Sequence, residues 1–323
     1  MGLETRKLVG RFRQLGGFTL LGEYARIGAL PTLAREVVRV CTRRLPAKEV
    51  YPALERKVQP VLRRRYEPLM HSLIEKYRAA ELPHDRSDKV WFCWLQGIDE
   101  APPLVKACCE SQRRNLTGKC VEVISYGTYG DFITLPEHIV RKHKEGKIPH
   151  QQFSDIIRLE LLIKHAGTWI DSTVLCTGSN FPGRVLDCDL FLFQYRERRT
   201  GRLRGFSNWF ITSCTNNLAL LVLRDMLYQY WRDYDCVMDY YIFHLFFSMI
   251  IKACPDAMAA MPWNDNSLAL MLGGRIREEY DDAWMEKLVS VCAFHKLNYR
   301  IRPVEGHAGT TFYDKIIRDY IKG

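Results

Sequence analysis

The sequence predicts an α/β protein with a central, mainly parallel sheet and an N-terminal helical appendage. Three observations lead to this class. From Lys89 onward, strand-like runs and amphipathic helical runs follow one another in the order strand, helix, strand, helix, helix, strand, as expected of a sheet with helical crossovers. Before residue 80 the texture is helical and charged. The 323 residues are 47% hydrophobic and 12% aromatic, which is enough to bury a large core and excludes a disordered chain.

Taken in order, the first 80 residues are expected to be short helices separated at Pro31, Pro46, Pro52, Pro60 and Pro68. KVWFCW, from Lys89, reads as a strand ending in the turn-rich QGIDEAPP, before the helical LVKACCESQRRN. VEVIS (121–125) is a second strand, and LPEHIVRKHKEGK is helical. SDIIRLELLIKHAG is a helix with Ser154 as N-cap and Gly167 past its last turn. TWIDSTVLCT and CDLFLF are expected strands, and after Asn208 the chain turns helical again. YYIFHLFFSMIIKA, from Tyr240, is too short and too interrupted by His244 and Ser248 to span a bilayer, so it reads as a buried core helix. The domain boundary falls near residue 85, between a basic helical region (1–85) and an α/β domain (86–323).

The charge is unevenly placed. Residues 1–65 hold 15 Lys and Arg against 5 Asp and Glu, so the whole net charge of +10 lies there and the rest of the chain is neutral. Phe12, Leu15, Phe18, Leu21 and Tyr24 interleave with these cations, a pattern suited to peripheral contact with an anionic membrane surface. A solvated helical face is the other reading. Nucleic acid is not expected, because no reader motif accompanies the charge. The eleven cysteines form no CxxC and no paired pattern, which points to a reducing, cytoplasmic setting, and the basic segment adds a peripheral place at the inner face of the cell membrane. Glu23 and Arg26 interrupt the one N-terminal apolar stretch, against a cleavable signal.

Chemistry concentrates in FSDIIRLELLIKHAGTWIDST, residues 153–173. Asp155 and Arg158, three apart, share a face near the expected helix N-terminus, where free N–H groups favour a diphosphate. Asp171 directly follows a strand and so emerges at the carboxyl edge of the sheet, where open α/β sheets bind ligands. With Ser172 and Thr173 as further oxygen ligands, it can hold a divalent cation that bridges two phosphates. Each feature also has an ordinary reading, as a surface salt bridge or as a turn residue. No GxxxxGK[ST] loop or strand-led glycine fingerprint occurs, which weakens kinase and dehydrogenase readings.

The block resembles glycosyltransferases with a DXD sugar-binding motif, in particular the capsular polysaccharide synthesis family related to glycosyltransferase family 32. That family's run is S-D-x-x-R-x-x-x-L-x-x-x-G-G-x-W-x-D-x-T. Ser154, Asp155, Arg158, Leu162, Gly167, Trp169, Asp171 and Thr173 match it, and Ala166 replaces the first glycine. VWFCWLQGIDEAPPLVKACCESQRRN, the early FRQLGGFTLLGEYARIGAL and the late HKLNYR extend the likeness over most of the chain. The resemblance implies a GT-A fold for residues 86–323, a nucleotide-sugar donor with a UDP-sugar favoured, a glycan or lipid-linked acceptor, and retention of anomeric configuration. It also implies that Trp94, Gln96 and Gly97 line the nucleotide pocket, that Asp155 and Arg158 contact the donor, and that Asp171 is the first DXD carboxylate. Mn²⁺ or Mg²⁺ is then expected at Asp171 and Thr173, with a threonine where the motif has its second carboxylate.

On residue chemistry alone, Trp94 can stack on a base or sit in the core, and Gln96-Gly97 can be an ordinary turn. His295 and Lys296, placed in a loop after SVCAF, can neutralise a leaving diphosphate or form a solvated basic loop. His307 is a weaker candidate in a closing segment. Asn208-Trp209 and Asp239 suit an acceptor sugar, and Asp239 can equally cap the helix that follows it. The rival class is a non-catalytic, transferase-like scaffold of a glycan assembly complex, which Thr173 keeps open.

Overall fold

The computed structural model describes residues 3–42, 46, 49–178, 184–196, 203–301 and 309–322. The chain divides into two compact units that interleave in sequence. Unit 1 combines residues 1–81, 135–159 and 218–255; unit 2 combines 82–134, 160–217 and 256–323. The N-terminal helices therefore share a unit with two later segments, where a linear division near residue 85 was expected.

Unit 1 is helical. Its longest element, Val50–Arg78, runs 29 residues through Pro60 and Pro68 without a break. This corrects the expectation that the prolines divide the region. Each interior proline costs about 3 kcal/mol, but a stripe at 3–4-residue spacing, including Val58, Leu62, Tyr66, Met70 and Leu73, is buried. That stripe packs against the helices Leu218–Asp233 and Ile242–Ala253. Large apolar side chains contribute about 1.5–3 kcal/mol each on burial, so tertiary packing outweighs two lost backbone bonds. Both prolines lie on the exposed face. Tyr66 Oη also donates to Asp233 Oδ2 at 2.7 Å. Ile242–Ala253 is the buried core helix expected from its apolar run. No helix among the described residues is long and apolar enough to cross a membrane.

Unit 2 carries a five-stranded sheet: β1 (Lys89–Cys93), β2 (Cys120–Ile124), β3 (Gly167–Ile170), β5 (Leu190–Arg196) and β6 (Leu203–Ser213), in the order β2-β1-β3-β6-β5. β1 pairs parallel with both β2 and β3, while β6 pairs antiparallel with β3 and β5. Four strands therefore run one way and β6 runs against them, a mainly parallel sheet. A second, two-stranded sheet joins β4 (Val174–Cys176) to β7 (Phe294–Lys296). TWIDSTVLCT is thus two strands separated by a turn at residues 171–173, and β6 occupies a stretch around Asn208 where a helix was expected to begin.

The free side of β4 is satisfied by a helix. Ser111, Gln112 and Asn115, on Pro103–Asn115, bond to Cys176 N, Val174 O and Cys176 O at 3.0, 2.9 and 2.9 Å. Ser111 and Gln112 are fully buried, so these side chains replace a neighbouring strand where water has no access. Together with β7 they hold both sides of β4, and with it the turn 171–173.

Candidate active site

β1 and β3 are adjacent and parallel, so the residues that follow them emerge at one carboxyl edge. After β1 the chain turns at Trp94–Gly97, closed by Gly97 N donating to Trp94 O at 2.9 Å, with Gly97 at φ +93°, a region open to glycine. Trp94 is half-buried and packs edge-on against Tyr299 at 5.3 Å, while Gln96 is exposed. After β3 comes Asp171, whose N–H donates to Trp209 O at 2.8 Å and whose C=O accepts from Val174 N at 3.0 Å. The backbone of Asp171 is therefore tied to the sheet on one side and to the turn on the other.

Its carboxylate is held at both oxygens. Trp169 Nε1 donates to Oδ1 at 2.9 Å, and Lys296 Nζ donates to Oδ2 at 3.0 Å. The same ammonium donates to Thr173 Oγ1 at 2.5 Å. Lys296 reaches this point because β7 is registered against β4, with Lys296 opposite Val174 and Leu297 N donating to Thr173 O at 2.8 Å. Asp171 and Lys296 are each 24% exposed at their side chains, so the cluster is anchored and still open to a ligand. Gly273 lets a helix pass behind β7: a Cβ there would lie 2.9 Å from Lys296 O.

Several expectations need correction. The helix carrying Asp155 and Arg158 starts at His150, not Ser154. Pro149 immediately precedes it, and its C=O accepts the helix's first backbone bond, from Phe153 N. Asp155 and Arg158 are thus beyond the first turn, away from the free N–H groups. They do pair, at 3.2 Å, and are largely buried in unit 1, with the guanidinium 6.0 Å from the Phe243 ring centre. His244 beside them is pushed down to about 4, mainly by burial and then by the Arg158 charge.

His295 lies within β7, not in a loop, is fully buried, and shares a hydrogen bond with Thr177 Oγ1 at 2.9 Å. Burial pushes it down to about 4, so it is neutral near pH 7 and cannot neutralise a diphosphate. Alternation along β7 sends Lys296 to the opposite side, which leaves the cationic role to that residue alone of the two. Asp239 is buried in unit 1, and its Oδ1 accepts from Tyr241 N at 2.7 Å. Burial raises its carboxyl. This is a local turn ahead of the helix Ile242–Ala253, whose N-cap is Tyr241 with no side-chain cap bond, so the capping expectation for Asp239 is not met. Trp209 is stacked on Phe193 at 4.5 Å inside the core, which removes it from acceptor binding. His307 lies outside the described residues.

The metal expectation also fails on its donor set. Asp171 supplies one carboxylate and Thr173 one hydroxyl, and an ammonium is bonded to both. Mg²⁺ and Mn²⁺ require several oxygen ligands and are repelled by a lysine at that distance. Among the described residues no group of three or more His, Cys, Asp or Glu is placed to hold a metal ion. No local pattern signals the Trp169 bond to Asp171 or the proximity of Lys296 to it.

The pattern of the family described as capsular polysaccharide synthesis protein matches residues 43–316, most of the chain. The chain belongs to the capsular polysaccharide synthesis family. That membership supports an enzyme of the transferase class. Among solved structures, the chain is similar to the PaToxG glycosyltransferase at 15% identity and TM-score 0.39, over 72% of this chain and 94% of that one. It is also similar to the catalytic domain of alpha-toxin from Clostridium novyi at 10% identity and TM-score 0.30, over 84% and 82%. No curated protein matches the chain.

Proposed function

We propose that this member of the capsular polysaccharide synthesis family is a retaining glycosyltransferase of GT-A type that takes a hexose-type sugar from a nucleotide-sugar donor, a UDP-sugar favoured, to a glycan or lipid-linked acceptor. The observation that carries this reading is the cluster Trp169–Asp171–Thr173–Lys296 at the carboxyl edge of β3. It offers an anchored carboxylate and a cation, both accessible, where an α/β sheet binds its ligand. In the proposed reaction the bond from the anomeric carbon to the phosphate oxygen breaks while the acceptor oxygen bonds that carbon on the same face. The acceptor's proton passes to the leaving phosphate, whose growing charge Lys296 stabilises. Trp94, Gln96 and Gly97 line the nucleotide side of the same edge. Incubation with UDP-, GDP-, CMP- and dTDP-sugars is expected to release the nucleotide from one donor class. Absence of turnover and of calorimetric binding across the whole panel would favour the scaffold reading.

Peripheral contact with an anionic membrane is proposed alongside. Phe18 is 87% exposed and Val38 60% exposed, in a segment that carries the chain's whole excess of positive charge. Removing residues 1–65 is an unsuitable test, since it cuts into the core helix Val50–Arg78. Phe18→Glu removes an apolar contact and adds a negative charge at once, and is expected to lower partition onto phosphatidylserine vesicles about tenfold. Unchanged co-sedimentation would overturn the contact.

A further inference from the structure

The geometry points to Lys296 as a built-in replacement for the divalent cation: its ammonium takes the cation position between Asp171 and Thr173, so this chain engages a donor diphosphate without metal. The inference rests on the proposed function for the identity of the anion, but the occupancy of the cation position does not. Three features of the cluster support it.

Charge comes first. A metal site of this kind needs a second carboxylate to hold a doubly charged ion, and Thr173 offers only a neutral oxygen. One carboxylate and one hydroxyl suit a single ammonium, whose donors point to both at 3.0 and 2.5 Å.

Second, the ammonium is brought there by fixed backbone, not by a free surface side chain. Lys296 sits in β7 opposite Val174, its following N–H is bonded to Thr173 O, and Gly273 admits a helix directly behind its carbonyl. The threonine at the third position of the motif and the lysine thus meet at one point of the fold.

Third, the lysine is not sealed off by its partners. It is 24% exposed, like Asp171, so one of its three donors remains available to a phosphate oxygen from the open side. A lysine shielded on all sides would be only a structural tie.

Two measurements on the 323-residue chain decide the point. Mn²⁺ binding is followed through the electron paramagnetic resonance of the free ion, for the wild type and for Thr173→Asp combined with Lys296→Met. The wild type is expected to bind no Mn²⁺ below millimolar concentration, and the double variant, with a second carboxylate and no ammonium, about 100-fold more tightly. Stoichiometric micromolar binding by the wild type would overturn the inference and needs no variant to be stable. A folded double variant that gains no affinity would show that this is not a cation position, and would overturn it as well. In the donor assay, wild-type turnover is expected to be unchanged by EDTA, and Lys296→Arg to retain more of it than Lys296→Met. Loss of turnover in EDTA would count against Lys296. A donor panel silent under every condition would remove the proposed function while leaving the Mn²⁺ result to decide the cation position.

Discussion

Asp171→Ala is expected to lower turnover of the preferred donor about 100- to 1,000-fold, the range for removing one preorganised charged group from a transition-state site. The substitution acts on two levels. It removes the carboxylate that the β3 edge presents, and it releases Lys296, whose ammonium is aimed by Asp171 Oδ2 and Thr173 Oγ1. Stability should change far less. The Asp171–Lys296 pair is about three-quarters buried and Asp171 also accepts from Trp169 Nε1, so the loss of stability is about 1–3 kcal/mol, below what unfolding at assay temperature requires. Urea unfolding followed beside donor turnover separates the two effects. A fall in activity matched by unfolding at assay temperature would make Asp171 a structural residue, and full activity in a folded Asp171→Ala protein would remove it from the site.

The position of Asp171 was readable in the sequence because it depends on local features. A helix with an apolar face, a break at Ala166-Gly167 and the short run Thr168–Ile170 can only place the next residue at a strand's carboxyl end. The strand–helix alternation after Lys89 was readable for the same reason, since each element carries its own periodicity. What failed was decided by contacts between distant segments. Lys296 lies 125 positions from Asp171 and reaches it through the register of β7 on β4, which no local pattern encodes. The burial of His295 follows from the same register, and only the side of a strand separates it from its neighbour. β6 was missed because its stretch reads as a helix start until β3 and β5 supply its partners. The prolines of Val50–Arg78 misled because they lie on the face that the core does not need.

The break at Ala166-Gly167 itself yields the second large effect. Gly167→Ala is expected to destabilise unit 2 by about 4 kcal/mol or more, in the class of diagnostic single substitutions. At Gly167, φ is +94°, and an added Cβ would lie 2.3 Å from Lys89 O and 3.1 Å from Lys89 C. That neighbour is backbone at the start of β1, paired to both β2 and β3, and cannot give way without breaking the central sheet. One position earlier, the family's other glycine is an alanine, at φ +57° in the left-handed conformation that ends the helix. Ala166 N donates to Leu162 O at 2.9 Å and its C=O accepts from Trp91 Nε1 at 2.8 Å, so the conformation is fixed from both sides. Its strain is about 1–2 kcal/mol. Restoring glycine would relieve that strain but give up a buried methyl worth about 0.8 kcal/mol and add about 0.4–1 kcal/mol of unfolded-chain entropy. Ala166→Gly should therefore stay within about 1 kcal/mol of the wild type. Both positions of the motif have positive φ, but only the second adds a steric contact, and that contact is what forbids a side chain there. Urea denaturation of the two variants side by side checks this, and comparable losses at both positions would show that the shared turn, and not the approach to Lys89, sets the requirement.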